Sequence, residues 1–418
     1  MERLRAVRGP LGILSLISFV SALGVSVMLP LIPLYAVSLG AAPVQLGLLT
    51  SAFAVATTVA QVGAGLFMDR YGARGFIRGG IATYAGANFL IATARSAVSL
   101  ISFRTIAGLG GGTNLVATRL YLSQVTAPER MAFANGVLSA AVSAGQVAGP
   151  VLGGVVAALA NLRLPFIMVG ITSALGFLGA LFLPRPAPVS PSAGLLTGGA
   201  PPRIFTRDVM VLLFAQLFLL AGYGGFITTY APFATRELGW STLDVGIVFS
   251  FFGAGSILLG PWLSHLADRT GRRRIAALST LPVAAFGAVL VAGAPKVVVY
   301  AISILAGGAL TAFTGSWFAL LSAASPSVRR GRTFGLVSAG SNLGQVAGAM
   351  GASAVWQQVT IGAGLLSASF PVLLCGLTLL LLPRDRSPTN GVRGPGSEVR
   401  LQAPTDSGHR TSDTEEQE

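Results

Sequence analysis

The chain has 418 residues, 53% of them hydrophobic and only 10% charged, with a mean hydropathy of +0.73. A soluble globular domain carries roughly a quarter charged residues, so the composition excludes that class. The formal charge of +14 comes from 27 arginines and Lys296, scattered in short groups between apolar runs, which argues against a nucleic-acid-binding surface.

Runs long enough to cross a hydrocarbon layer of about 30 Å follow one another along the chain. In the first half they fall at 11–36, 44–67, 77–94, 98–122, 132–159 and 164–183. The first follows Arg3, Arg5 and Arg8 like a signal peptide, yet it is too long for a cleaved segment and leads into further spans, so it reads as a membrane helix. Residues 184–207 hold six prolines and read as an extended linker. The second half has runs at 208–232, 242–264, 275–293, 297–322, 333–357 and 361–383, and 384–418 is a polar tail expected to be disordered. The expected fold class is therefore all-α integral membrane, with twelve transmembrane helices. Its expected divisions are a six-helix bundle at 1–183, the linker at 184–207, a second bundle at 208–383 and the tail. The 54 glycines suit close helix packing in lipid.

The arginines set the expected orientation. With the N-terminus inside, 23 basic residues fall in inner segments and four outside: Arg95, Arg163, Arg236 and Lys296. The positive-inside rule then places both termini in the cytoplasm, as expected of a multi-pass protein of a prokaryotic plasma (inner) membrane. Arg104 is the remaining cation and lies within a span.

The halves repeat. Asp69-Arg70-x-Gly72 recurs as Asp268-Arg269-x-Gly271, and Gly145-Gln-Val-Ala-Gly149 recurs as Gly344-Gln-Val-Ala-Gly348, both at an offset of 199. Gly108 and Gly307 obey the same offset. Equal orientation of two six-span repeats implies a pseudo-two-fold axis along the membrane normal.

The loop Gly65-Leu-Phe-Met-Asp69-Arg70-Tyr-Gly72-Ala73-Arg74, and its partner with Asp268, Arg269, Gly271 and Arg273, resemble the signature loop of the major facilitator superfamily. The first copy departs from that pattern at Ala73, the second at Ser264. Gly136, Gly145, Gly149-Pro150 and Gly153-Gly154 in span 5 resemble the glycine–proline motif of its 12-helix drug:proton antiporter branch. The resemblance implies gating roles for the loop residues, with Asp69 capping a helix near Thr333 and Arg74 pairing with Glu129. It also implies proton coupling through Arg104, and a cavity lined by spans 1, 4, 7 and 10. Candidate substrate-binding residues there are Asn114, Gln216, Tyr223, Tyr230, Thr314 and Trp317. Helix packing is the alternative reading for Asn114 and for the glycines, and an interfacial belt for Tyr230.

All fourteen acids fall in loops, tails or span ends. Coupling to protons would then use groups such as Asp69, Asp208, Glu237 or Asp244, and the cavity should disfavour permanent cations. The expected function is proton-coupled efflux of lipophilic, drug-like or small organic compounds by alternating access. The alternatives are an uptake symporter or uniporter for a small metabolite, and a non-transporting sensor or scaffold. Cys375 is the only cysteine, and the two histidines, His265 and His409, lie far apart, so no metal site is expected. No enzyme constellation and no cofactor are expected; a proton gradient is the driving force, small molecules and the lipid bilayer are the partners, and a monomer is the expected state.

Overall fold

In the computed structural model the residues described are 10–126, 131–184, 206–325 and 330–383. They lie in one compact unit. Residues 185–205 of the expected linker, the expected tail and Glu129 lie outside them, as do the side chains of Asp69 and Arg70.

Among the described residues the first half forms α1 (Pro10–Ser38), α2 (Pro43–Tyr71), α3 (Ala73–Ala92), α4 (Ala97–Val125), α5 (Met131–Leu159) and α6 (Leu164–Leu181). The second half forms α7 (Arg207–Arg236), α8 (Thr242–Leu258), α9 (Gly260–Thr270), α10 (Arg272–Val291), α11 (Lys296–Ala324), α12 (Arg330–Gln358) and α13 (Ile361–Leu379). Each apolar run is thus occupied by helix, with one correction. The run at 242–264 is a bent pair, α8 and α9, turned by 47°. The cause is Gly260-Pro261: proline lacks the N–H that would continue the ladder, and its ring clashes with the carbonyl four residues back.

Among the described residues eight helices are long and apolar enough to span on composition alone, nine with the bent pair. The others, α3, α4 and α12, are of similar length but carry arginines or amide and hydroxyl side chains.

Packing follows the sequence repeat. α1 lies on α5 and α6, α2 on α4, and α3 on α4 and α6; in the second half α7 lies on α12 and α13, α8 on α11, and α10 on α11 and α13. The Thr57 hydroxyl donates to the Gly108 carbonyl at 3.3 Å, and 199 residues on Ser256 donates to Gly307 at 3.0 Å. Those glycines let α4 and α11 approach the carbonyls of Phe53 and Phe252.

Each signature loop is a one-residue turn between two helices. Gly72 and Gly271 have φ of +78° and +114°, a region where a side chain is strained, so the turn requires glycine. Beyond the turn, Arg74 donates to the Leu181 carbonyl at 3.3 Å and Arg273 to that of Leu380 at 2.6 Å, again at an offset of 199. Arg78 joins the first of these, donating to Ala180 and Leu181. A cation on the last carbonyls of a helix satisfies orphan acceptors and opposes the negative end of the helix dipole.

The ends that carry Tyr71, Leu181, Arg207, Thr270 and Leu379 form the linker end; the turns at Ser38–Pro43, Leu159–Leu164 and Arg236–Thr242 form the far end. Toward the far end one buried cluster contains residues of both halves, including Leu31, Tyr35 and Phe166 with Tyr230, Val245 and Phe286. Toward the linker end the buried residues divide. Leu14, Met68, Ile77 and Tyr121 belong to a cluster within the first half; Leu212, Phe313, Trp317 and Leu379 belong to one within the second.

Candidate functional site

The halves meet chiefly along two crossings, α2 on α12 and α5 on α8, related by the repeat, with a lesser contact of α1 on α7. Gly47 faces the Ala349 carbonyl and Ser353 of α12, while Gly246 faces the Pro150 carbonyl of α5. Polar bonds run along both. Thr58 accepts from the Asn342 amide at 2.9 Å and Ser51 donates to Val346 at 3.3 Å, and beside this crossing Thr228 of α7 donates to Thr50 of α2 at 3.0 Å. On the other side Ser250 donates to Val147 at 2.8 Å and Thr242 to Gly154 at 3.2 Å. These contacts lie between mid-helix and the far end, so the gap between the halves widens toward the linker end. They are neutral hydrogen bonds worth about 1 kcal/mol each, and can break in turn without exposing a charge. Asn342→Ala is expected to favour opening of the far end by about that amount, read as a rise in the separation of spin labels at Asn161 and Glu237; an unchanged distance distribution would assign Asn342 no part in the closure.

The glycine–proline run does two things. Gly145, Gly149 and Gly153 face α1 at Phe19, Leu23, Ser26 and Val27, allowing backbone approach within the first half. Pro150 and Gly154 instead meet α8 at Gly246 and at Thr242, across the halves. Gly136, nearer the linker end, faces open space.

Arg104 lies about 10 Å below the far end of α4, from its position seven residues in. Only 4% of it is exposed. Its guanidinium reaches the Met28 sulfur at 3.8 Å and sits 4.0 Å over the centre of the Phe53 ring. The Tyr84 and Tyr223 side chains are near enough to feel its charge. The Tyr84 hydroxyl is buried and makes no hydrogen bond of good geometry. Tyr223 comes from the other half and is 37% exposed.

The other candidates separate by position. Gln216 is half-buried with its Oε1 unpartnered, and Thr314 is exposed with its hydroxyl turned back to Leu310. Tyr230 shares a helical stripe with Tyr223 but is wholly buried, packed on Phe226, Phe249 and Phe286, because the far end is closed over it. Trp317 is buried too, its Nε1 donating to Leu212 at 2.9 Å, which ties α11 to α7 within one half. Asn114 bonds Ser21 of α1 and accepts from Thr118, a tie between helices. These three are buried in packing contacts in this state.

In the second loop Asp268 pairs with Arg272 at 2.8 Å on the surface, and Arg269 is exposed. Arg74 donates to the Leu181 carbonyl of α6; Glu129, its expected partner, lies outside the described residues. The end-of-span acid Asp244 pairs with Lys296 at 2.8 Å and caps its own helix with Ser241. An apolar groove of about 480 Å³, lined by Leu48, Val55, Val59, Ile101 and Leu109, lies on the outer flank of α2 and α4, not between the halves.

Sequence reading passed over Met28, Phe53 and Tyr84 around Arg104, and the hydroxyls and amide of the crossings. Some carried a signal: Gly47 and Gly246, Phe53 and Phe252, and Thr57 and Ser256 all obey the 199-residue offset.

Residues 14–204 and 212–405 match the family profile described as the Major Facilitator Superfamily. Over 243 residues the chain is 25% identical to the quinolone resistance protein NorA of Staphylococcus aureus, covering 56% of this chain and 62% of that one. It thus spans about three fifths of the length of those curated relatives. Among solved structures it resembles a bacterial homolog of the human lysosomal transporter Spinster, inward-facing and unoccupied (TM-score 0.69, 16% identity, 89% of this chain and 94% of that one). It also resembles the nucleoside transporter NupG (TM-score 0.74, 14% identity, 89% and 99%). Matched in both halves by the profile, and built as paired helix repeats that close at one end, the chain is a multi-pass membrane protein that belongs to the Major Facilitator Superfamily.

Proposed function

We propose that the protein exports lipophilic, drug-like organic compounds in exchange for protons, by rocking its two halves about a site near mid-membrane. The observation that carries this reading is the glycine–proline run of α5 at the crossing with α8, where Pro150 and Gly154 contribute to closing the far end. Likeness to a quinolone resistance protein supports it. Taking the arginine-rich linker end as cytoplasmic, the state described is one in which a compound enters from the cytoplasm or inner leaflet. Motion then opens the far end by breaking the neutral bonds of the two crossings. Arg104 is the coupling residue in this reading, since the described acids sit at span ends. The transporter works as a monomer in a prokaryotic inner membrane.

The test is proton flux in liposomes holding the purified protein, challenged with neutral, anionic and cationic drugs. Drug-induced proton movement opposite to the drug, lost in Arg104→Ala, is expected. Protons and compound moving together, or compound moving without protons, would overturn antiport.

A further inference from the structure

We propose that Arg104 is a docking point for a carboxylate on the transported compound, making lipophilic monoanions and zwitterions the preferred substrate class; this rests on the reading of the gap between the halves as the transport pathway. A guanidinium has five N–H donors, and this one, 4% exposed, meets a thioether sulfur and the face of a phenyl ring. Both are weak partners for a buried cation, which is costly in a membrane interior unless paired.

Among the described residues the groups whose charge or dipole acts on Arg104 are the phenols Tyr84 and Tyr223, with no carboxylate among them. The Tyr84 hydroxyl, itself 4% exposed, lies beside the guanidinium and the Asn88 side chain without a bond of good geometry, and as a neutral phenol it leaves the charge uncompensated. One cation and two phenolic O–H groups thus form a donor-rich cluster with no anion of its own. A single guanidinium suits one carboxylate, bound through two parallel N–H donors, better than a dianion.

The repeat supplies an internal control. The position equivalent to Arg104, 199 residues on, is Ser303, wholly buried and bonded to its own helix at Val299. The surrounding helix contact is the same in both halves, Phe53 on Gly108 and Phe252 on Gly307. The helix packing therefore does not need a cation there, and the first half carries one for another purpose. In this proposal the anion approaches from the side of Tyr223, which belongs to the second half and is 37% exposed, and Met28, unbranched and adaptable, swings off the guanidinium to admit it. Phe53 and Met28 then line the apolar body of the compound. A permanent cation meets repulsion at the same place.

The measurement compares thermal stabilisation of the purified full chain by naphthoate, by naphthamide of the same shape, and by a naphthyl quaternary ammonium. Naphthoate is expected to bind about tenfold more tightly than the amide, a difference of about 1.4 kcal/mol. The quaternary ammonium is expected to bind most weakly. Arg104→Gln is expected to erase the preference, so that naphthoate binds no more tightly than the amide, and Arg104→Lys to keep part of it. Equal or weaker stabilisation by naphthoate than by the amide in the wild type overturns the proposal, as does a preference that survives in Arg104→Gln. The wild-type comparison decides even where a variant fails to fold. Exchange of the amide for protons in liposomes, without any carboxylate preference, would leave export standing and remove this inference. A carboxylate preference dependent on Arg104, with no proton exchange, would do the reverse.

Discussion

Replacing Gly246 by leucine is expected to hold the far end apart while leaving each half folded. A side chain there meets the Pro150 carbonyl of α5, which is backbone and cannot rotate away. Overpacking of this kind costs about 1–3 kcal/mol, enough to shift a two-state balance by roughly ten- to a hundredfold. The clash is with the other half, so separating the halves relieves it. The expected readout is labelling of a cysteine placed at Thr228, wholly buried in the closed far end and bonded to Thr50, by an impermeant maleimide. Cys375, the only native cysteine, is buried, so background labelling is low. Strong labelling with Gly246→Leu and little without it is the expected pair of results. Equal protection in both would show that the α5–α8 crossing does not hold the far end shut.

Gly149→Leu and Gly136→Leu, both within the glycine–proline run, are expected to differ sharply. A side chain at Gly149 would begin 2.7 Å from Ser26 Cβ and 2.8 Å from the Leu23 carbonyl, inside the first half. No rocking motion relieves that clash, so a loss of about 3 kcal/mol or more is expected, seen as a lower melting temperature or poor recovery of folded protein. At Gly136 a side chain meets open space in this state, and leucine is a better helix former than glycine. Stability equal to or above wild type is expected there, with transport reduced, because closing the linker end brings that surface toward the other half. Similar stability losses in the two variants would show that the motif acts only through helix packing.

The helices were legible in the sequence because lipid forces them: about twenty apolar residues, repeated, leave few other solutions. The offset of 199 went further, and the structure honours it down to single hydrogen bonds such as Thr57–Gly108 and Ser256–Gly307. The bend at Leu259 was visible as Gly260-Pro261 but was outweighed by an unbroken apolar run. The surroundings of Arg104 were not legible. Met28, Phe53 and Tyr84 read as ordinary core residues, and only the fold brings three helices onto one guanidinium. Tyr230 shows the converse. Its seven-residue spacing from Tyr223 places both on one stripe, yet spacing cannot tell which part of the stripe the closed far end covers.

The most direct test of rocking between two closures follows two label pairs in one preparation. One pair spans the far end at Asn161 and Glu237; the other spans the linker end at Ser123 and Ala323. With the gradient and a transported compound present, the far-end distance is expected to lengthen as the linker-end distance shortens, with the two populations changing in step. Distances that stay fixed at both ends, or lengthen together, would contradict alternating access between these two halves.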